Sequence, residues 1–173
     1  KDTEDFLYEI DVKFDAIIVM GNTLSHNPDN YRHLIKKMAD CLSDNGVLIF
    51  QITNFEKVLK ADKRVLSFNF VPSTDEPVRE YCFIEYYDNP KKNKTILKTF
   101  VILTSDGKRW KSSGIRNSLM AYTDERRIRE ILKNEGFGQI QTYGSFFNGR
   151  KWDYLFRKPF KPLESDWLNV IAS

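Results

Sequence analysis

The chain has 173 residues, 41% hydrophobic and 29% charged, the proportions of a soluble globular protein long enough to bury one substantial core. A net charge of +3, with basic pairs scattered at Lys91-Lys92, Lys108-Arg109 and Arg126-Arg127, argues against a nucleic-acid footprint. No apolar run approaches the roughly 18 residues of a membrane span, no secretory leader opens the chain, and Cys41 and Cys82 lack metal or redox spacing, so a cytoplasmic location is expected.

The opening segment, Lys1 to Lys13, is charged, with a short apolar patch at Phe6, Leu7 and Ile10, and reads as the tail of a preceding region. Phe14 to Met20 then carries a continuous apolar run, Ala16 to Met20, as a strand buried on both faces of a parallel sheet does. The run breaks at Gly21-Asn22, where an α/β sheet places its ligand loops. Pro28 is expected to open a helix with Tyr31, Leu34, Ile35, Met38, Ala39 and Leu42 on one face, stopped at Asp44-Asn45-Gly46 with Gly46 in the left-handed position. Val47 to Ile52 is a second buried parallel strand, completing a βαβ unit.

Beyond Asn54 the pattern changes. A short helix, Phe55 to Ala61, precedes four alternating segments, Val65 to Val71, Val78 to Tyr87, Thr95 to Thr104 and Trp110 to Tyr122. Turn chemistry at Asp88-Asn89-Pro90 and Ser105-Asp106-Gly107 makes them an antiparallel set. Thr123 is the expected N-cap of a helix carrying Ile128, Ile131 and Leu132 and ending at Gly136. Phe137 to Phe146 and Trp167 to Ala172 are strands expected to close a sheet edge.

Several motifs in this order resemble the C-terminal half of a class I S-adenosylmethionine-dependent methyltransferase, most nearly the glycine/sarcosine N-methyltransferase-like small-molecule group. Met20-Gly21-Asn22-Thr23-Leu24-Ser25-His26 is similar to the Leu-Gly-Asn-Ser loop and His after that family's fourth strand. Leu42-Ser43-Asp44-Asn45-Gly46-Val47-Leu48 resembles the turn into strand five, Asn54-Phe55-Glu56 an Asn-Tyr-Asp segment, and Tyr143-Gly144-Ser145-Phe146 a Tyr-Gly-Asp-Phe run. The resemblance implies a Rossmann-like α/β fold lacking its first strands, residues 1–54 with 123–173, and an antiparallel β lid inserted at residues 55–122. It implies S-adenosylmethionine as cofactor and a small-molecule acceptor, methylated on N or O.

The same resemblance assigns Met20, Gly21, Asn22 and His26 to cofactor binding and Tyr143 and Asn54 to catalysis. On the residues alone, Gly21 and Asn22 also read as a plain turn, His26 as a helix-entry residue, Tyr143 as a strand aromatic and Asn54 as a helix cap, while His33 reads as a surface residue. Tyr81, Tyr86 and Trp110 are either cross-strand pairs or contacts for a cation. Thr53 stands where glycine-methylating members have an Arg that grips the acceptor carboxylate, which argues against glycine itself. The family's Gly-rich cofactor loop has no counterpart in Lys1 to Lys13. The chain is therefore expected to expose a strand edge and to be weakly stable, dimeric or dependent on upstream residues. A non-catalytic methyltransferase-like module is the competing reading, and an RNA-methylating enzyme a third that lacks its basic patch.

Overall fold

A computed structural model describes residues 9–60, 64–88, 95–146 and 155–173. Its contacts divide the chain into two compact units, Lys1–Lys57 with Ala121–Ser173, and Val58–Met120.

The first unit is built on β1 (Phe14–Val19), a 3-10 turn (Thr23–His26), α1 (Tyr31–Asp40), β2 (Leu42–Thr53), the start of α2 (Phe55–Lys60), α3 (Glu125–Asn134), β7 (Ile140–Ser145), β8 (Lys158–Pro159) and β9 (Trp167–Ala172). Its five-stranded sheet has the order β1-β2-β9-β7-β8. β1 and β2 are parallel, joined through α1 as an α-helical crossover requires. β9 runs antiparallel to both β2 and β7, so β7 is again parallel to β1 and β2. The last strand thus lies inside the sheet, between β2 and β7, rather than at its edge as its place in the sequence suggests.

Alternation decides the packing. Leu48, Phe50 and Ile52 of β2 and Leu168, Val170 and Ala172 of β9 face Leu34, Ile35 and Met38 of α1 and Ile128, Ile131 and Leu132 of α3, forming one buried core. The helix stripes are where the 3.6-residue spacing puts them. The boundaries differ. α1 starts at Tyr31, not Pro28, and ends at Asp40 without a glycine cap, because β2 begins as early as Leu42. Gly46 lies within that strand: a Cβ there would sit 2.9 Å from Leu42 Cδ2 and 3.0 Å from the Phe14 carbonyl oxygen, so close approach rather than a left-handed turn requires it. The cap of α3 is Asp124, whose Oδ1 accepts the Arg127 N–H at 2.8 Å, in place of the expected Thr123. Its other end is a full Schellman motif. Gly136 has φ +92, its N–H reaches the Lys133 carbonyl, and the Phe137 N–H reaches the Leu132 carbonyl.

The expectation that β1 is buried on both faces is overturned. Among the described residues β1 pairs only with β2; Phe14, Ile17 and Val19 pack on the core, while Ala16 is exposed and Ile18 is 64% exposed. A continuous apolar run records what each face could meet, not what this chain places against it.

The second unit is a four-stranded sheet in the order β3-β4-β5-β6: β3 (Val65–Pro72), β4 (Glu80–Tyr87), β5 (Thr95–Ser105) and β6 (Trp110–Ala121, whose last residue belongs to the first unit). β3, β4 and β5 pair antiparallel. Asp106 builds the tight β5–β6 turn, its Oδ1 accepting the Lys108 and Arg109 N–H groups at 2.9 and 3.0 Å, with Gly107 at φ +88. The expected turn at Asp88-Asn89-Pro90 lies outside the described residues beyond Asp88. Glu85 and Lys98 form an ion pair of 2.8 Å with side chains only 16% and 11% exposed; Tyr87 donates to Glu85 at 2.8 Å, and Lys98 lies over the Phe100 ring at 4.5 Å. That carboxylate and burial push the Tyr87 hydroxyl pKa upward, burial contributing most.

Candidate functional site

The carboxyl ends of β1 and β2 meet the segments 20–26, 53–57 and, since α3 runs back toward the start of β7, the residues 122–127 that open that helix. In the first of these, Gly21 and Asn22 are consecutive residues with positive φ, +70 and +68. Asparagine is among the few side chains that accept this conformation readily. Asn22 is 4% exposed: its N–H donates to the Gln51 carbonyl at 3.1 Å, its Oδ1 accepts the Thr53 N–H at 2.9 Å, and its carbonyl accepts the Ser25 N–H at 3.1 Å. Thr23 closes the turn by donating to the Met20 carbonyl at 2.8 Å. The side chain of Asn22 thus prolongs the β1–β2 ladder past its last pair and fixes the loop. A Cβ on Gly21 would meet nothing within 4 Å. Positive φ, and not crowding, favours glycine there, and the backbone lies open. Met20 is half-buried and His26 is exposed at the end of the 3-10 turn.

Asn54 is 3% exposed and commits its amide: Nδ2 donates to the Pro162 and Ser165 carbonyls at 2.7 Å each, while Oδ1 lies 3.5 Å from the Lys57 N–H. Of its two readings, the structure brings out the capping one and adds a latch on residues 162–165. Tyr143 stands apart. It lies on β7 in register with Asn169 of β9, itself opposite Gln51 of β2, so three strand spacings, roughly 14 Å, separate it laterally from β1. Its hydroxyl donates to Gln141 Oε1 at 2.6 Å and its ring meets Phe156 edge-on at 5.8 Å. The structure gathers Met20, Gly21, Asn22 and His26 with Asn54 at one end of the sheet and leaves Tyr143 outside that group.

The sequence reading missed several polar groups. Gln51 Nε2 donates to Asn169 Oδ1 at 2.8 Å, and Asn169 Nδ2 donates to Ser145 Oγ and to the Leu155 carbonyl at 3.0 Å each, a buried chain crossing three strands. Gln51 was hidden inside an apolar run. Among the described residues, the buried side-chain polar atoms without a partner are Ser25 Oγ, Thr123 Oγ1 and Arg127 Nε, all on segments at the carboxyl ends of β1 and β2. Such atoms are costly unless something supplies the missing bond. Glu56, Asp124 and Glu125 place three carboxylates near Tyr122, whose ring is 6.5 Å from that of Phe55. Burial, then Asp124 and Glu125, raise the Glu56 carboxyl pKa; burial, then Glu56 and Asp124, raise that of the Tyr122 hydroxyl. In the sequence this cluster is signalled only by acidic residues at two helix starts, Glu56 in the first turn of α2 and Asp124 and Glu125 opening α3.

No group of His, Cys, Asp or Glu able to hold a metal ion occurs among the described residues, and no described helix is long and apolar enough to cross a membrane. No family model and no curated relative matches the chain. Solved structures do. An S-adenosylmethionine-dependent methyltransferase from Clostridium acetobutylicum is similar at a TM-score of 0.60 and 17% identity, covering 95% of this chain and 59% of its own. CalS10, an S-adenosylmethionine-bound amino pentose methyltransferase from Micromonospora echinaspora, is similar at 0.65 and 11%, covering 95% and 60%. The sugar N-methyltransferase KedS8 from Streptoalloteichus is similar at 0.60 and 9%, covering 96% and 59%. The chain therefore spans about 60% of the length of these solved chains, and the fold it shares with them is that of a methyltransferase.

Proposed function

We propose that this chain is the acceptor-side half of an S-adenosylmethionine-dependent methyltransferase that methylates an amine of a small molecule. The observation that carries the reading is the sheet order β1-β2-β9-β7 with β9 reversed, ending in a loop whose Gly21–Asn22 conformation leaves backbone open at the carboxyl ends of the parallel strands. The fold hosts many acceptors, so the site has to specify the substrate.

When bound, the cofactor would supply a methyl group on a sulfonium to the lone pair of a neutral amine, the carbon–sulfur bond breaking to leave a neutral thioether. The residues present suit such a ligand in two respects. Gly21 offers an uncrowded backbone, and the unpartnered Ser25 and Thr123 hydroxyls stand on the segments that would border it. Met20, Gly21, Asn22 and His26 would hold the cofactor edge, with Asn22 presetting the loop. Glu56, Asp124 and Glu125 put negative potential at the same end of the sheet, favouring a cationic sulfonium and the approach of a basic amine, which attacks only in its neutral form after losing its proton to solvent. Aligning the two reactants away from water would supply most of the rate. Asn54 acts by fixing residues 162–165. Residues 55–122 occupy the place in the chain order where the resembled family carries its acceptor lid and would contribute selectivity. An amine is favoured over a hydroxyl because CalS10 is described as an amino pentose methyltransferase and KedS8 as a sugar N-methyltransferase. The likeness to glycine/sarcosine enzymes rests on the motifs alone.

Isothermal titration of the full-length protein with S-adenosylhomocysteine tests the reading. Micromolar binding that weakens about tenfold in Asn22→Ala is expected; no heat at millimolar ligand overturns it.

A further inference from the structure

Asparagine followed by glycine is chemically labile. The backbone nitrogen of the second residue can attack the side-chain carbonyl of the first, and glycine, with no Cβ, leaves that approach unhindered. Of the twelve asparagines in the chain, two stand before a glycine, Asn45 and Asn148. Asn148 lies outside the described residues. Asn45 is exposed, and among the described residues no hydrogen bond or ion pair holds its side-chain amide.

The backbone at Asn45 also stands outside the β1–β2 ladder. Phe14 pairs with Leu42 and Ala16 with Val47, so residues 43–46 of β2 bulge out opposite the single residue Asp15. A regular pair locks the backbone that it bonds, whereas a bulge leaves its extra residues unpaired. Gly46 is required there by its 2.9 Å approach to Leu42 Cδ2, so the packing that builds the bulge also puts glycine after an exposed asparagine. Asn22, Asn54 and Asn169 differ on every count. They are at most 4% exposed, hydrogen-bonded through their side chains, and followed by Thr23, Phe55 and Val170. Asn117 is exposed but held by Thr99 Oγ1, and Ser118 follows it.

We propose that Asn45 is a covalent modification site, at which the folded chain converts asparagine to aspartate and isoaspartate with loss of ammonia. The Gly46 nitrogen bonds to Asn45 Cγ, the carbon–nitrogen bond of the side-chain amide breaks, and the Gly46 proton leaves with the departing nitrogen as ammonia. This closes a five-membered succinimide. Water then opens the ring at either carbonyl. One opening gives aspartate; the other gives isoaspartate, whose main chain runs through the former side chain and is one methylene longer. Both products add a negative charge beside Asp44 and near Asp15. Isoaspartate also lengthens the bulge where Gly46 has no room against Leu42 and the Phe14 carbonyl. The damage falls on the entry of β2, at the end of the parallel pair opposite residues 20–26, and the proposal does not depend on the methyl-transfer reading.

Incubation of the folded chain at about pH 8 and about 37 °C, with tandem mass spectrometry of its peptides, tests it. Residue 45 should gain about 1 Da, at least about tenfold faster than Asn22, Asn54, Asn117 and Asn169 in the same sample, with isoaspartate among the products. Asn45→Asp adds the charge without lengthening the backbone and should melt with the wild type. The separated isoaspartate form should melt about 2–6 °C lower. Conversion that requires unfolding in urea, conversion at residue 45 no faster than at those four asparagines, or an isoaspartate form that melts with the wild type overturns the proposal.

Discussion

In the five-stranded sheet Leu48, Phe50, Ile52, Leu168 and Val170 are at most 1% exposed beneath two helices, whereas in the four-stranded sheet Phe68, Phe70 and Ile115 are more than half exposed. Both sheets are rich in β-branched and aromatic residues, and both alternate. The difference lies in what each sheet has to pack on. The first has a helical layer supplied by α1 and α3 within its own unit. The sheet of the second consists of strands, and among its described residues only Cys82, Tyr87, Ile96 and Met120 are buried hydrophobics, so cross-strand pairs and the Glu85–Lys98 ion pair carry more of its cohesion. Apolar content alone does not make a core; a second layer does.

The sharpest way to break this contrast is to truncate one phenylalanine in each sheet. Phe50→Ala should cost about 3–5 kcal/mol, and Phe68→Ala less than about 1 kcal/mol in dilute protein, measured by urea unfolding. Equal losses would erase the distinction. Next comes Gly144→Ala. A Cβ there would fall 2.1 Å from Ser165 Oγ and 2.9 Å from its Cβ, so a loss of about 2–4 kcal/mol is expected. Ser165→Gly in the same background should recover part of it, and no recovery would mean that the Pro159 carbonyl, at 3.2 Å, sets the limit.

The smallest effect concerns Glu56. Its carboxyl pKa is raised in the folded chain above its unfolded value, so the proton is held more tightly when folded and the ionised form is the one that destabilises. That penalty is absent at acid pH and appears as pH rises through the folded value. Glu56→Gln should therefore raise the melting temperature by about 1–3 °C at pH 7 and by nothing near pH 3. An equal gain at both pH values would show that ionisation of Glu56, penalised by burial and then by Asp124 and Glu125, does not set the difference.

The parallel pair, its connecting helix and the four alternating strands were legible because hydrophobic period is a local signal. The loop at Gly21–Asn22 was legible as a break, but not the reason for it, since the partner of Asn22 is the Thr53 backbone, 31 positions away. Gly46 looked like a helix stop because Asp-Asn-Gly has turn chemistry, yet the crowding that requires it comes from Phe14 and Leu42. The insertion of β9 between β2 and β7 is a long-range choice that no window of sequence encodes. Tyr143 was joined to the site by a motif, whereas the strand order sets it three strands away from β1.

The buried amide chain through Gln51, Asn169 and Ser145 has a consequence for how the sheet assembles. β9 must slot between two strands that are far apart in sequence, and its alternation by itself tolerates sliding by two residues. A slide by one would turn Asn169 into the apolar layer under the helices, at a cost of about 1–3 kcal/mol for an unpartnered amide. A slide by two would keep it on the correct side but remove it from Gln51 and Ser145. A single asparagine therefore acts as a key cut to one depth: it rejects both errors and sets the alignment along which the two halves of the sheet are joined.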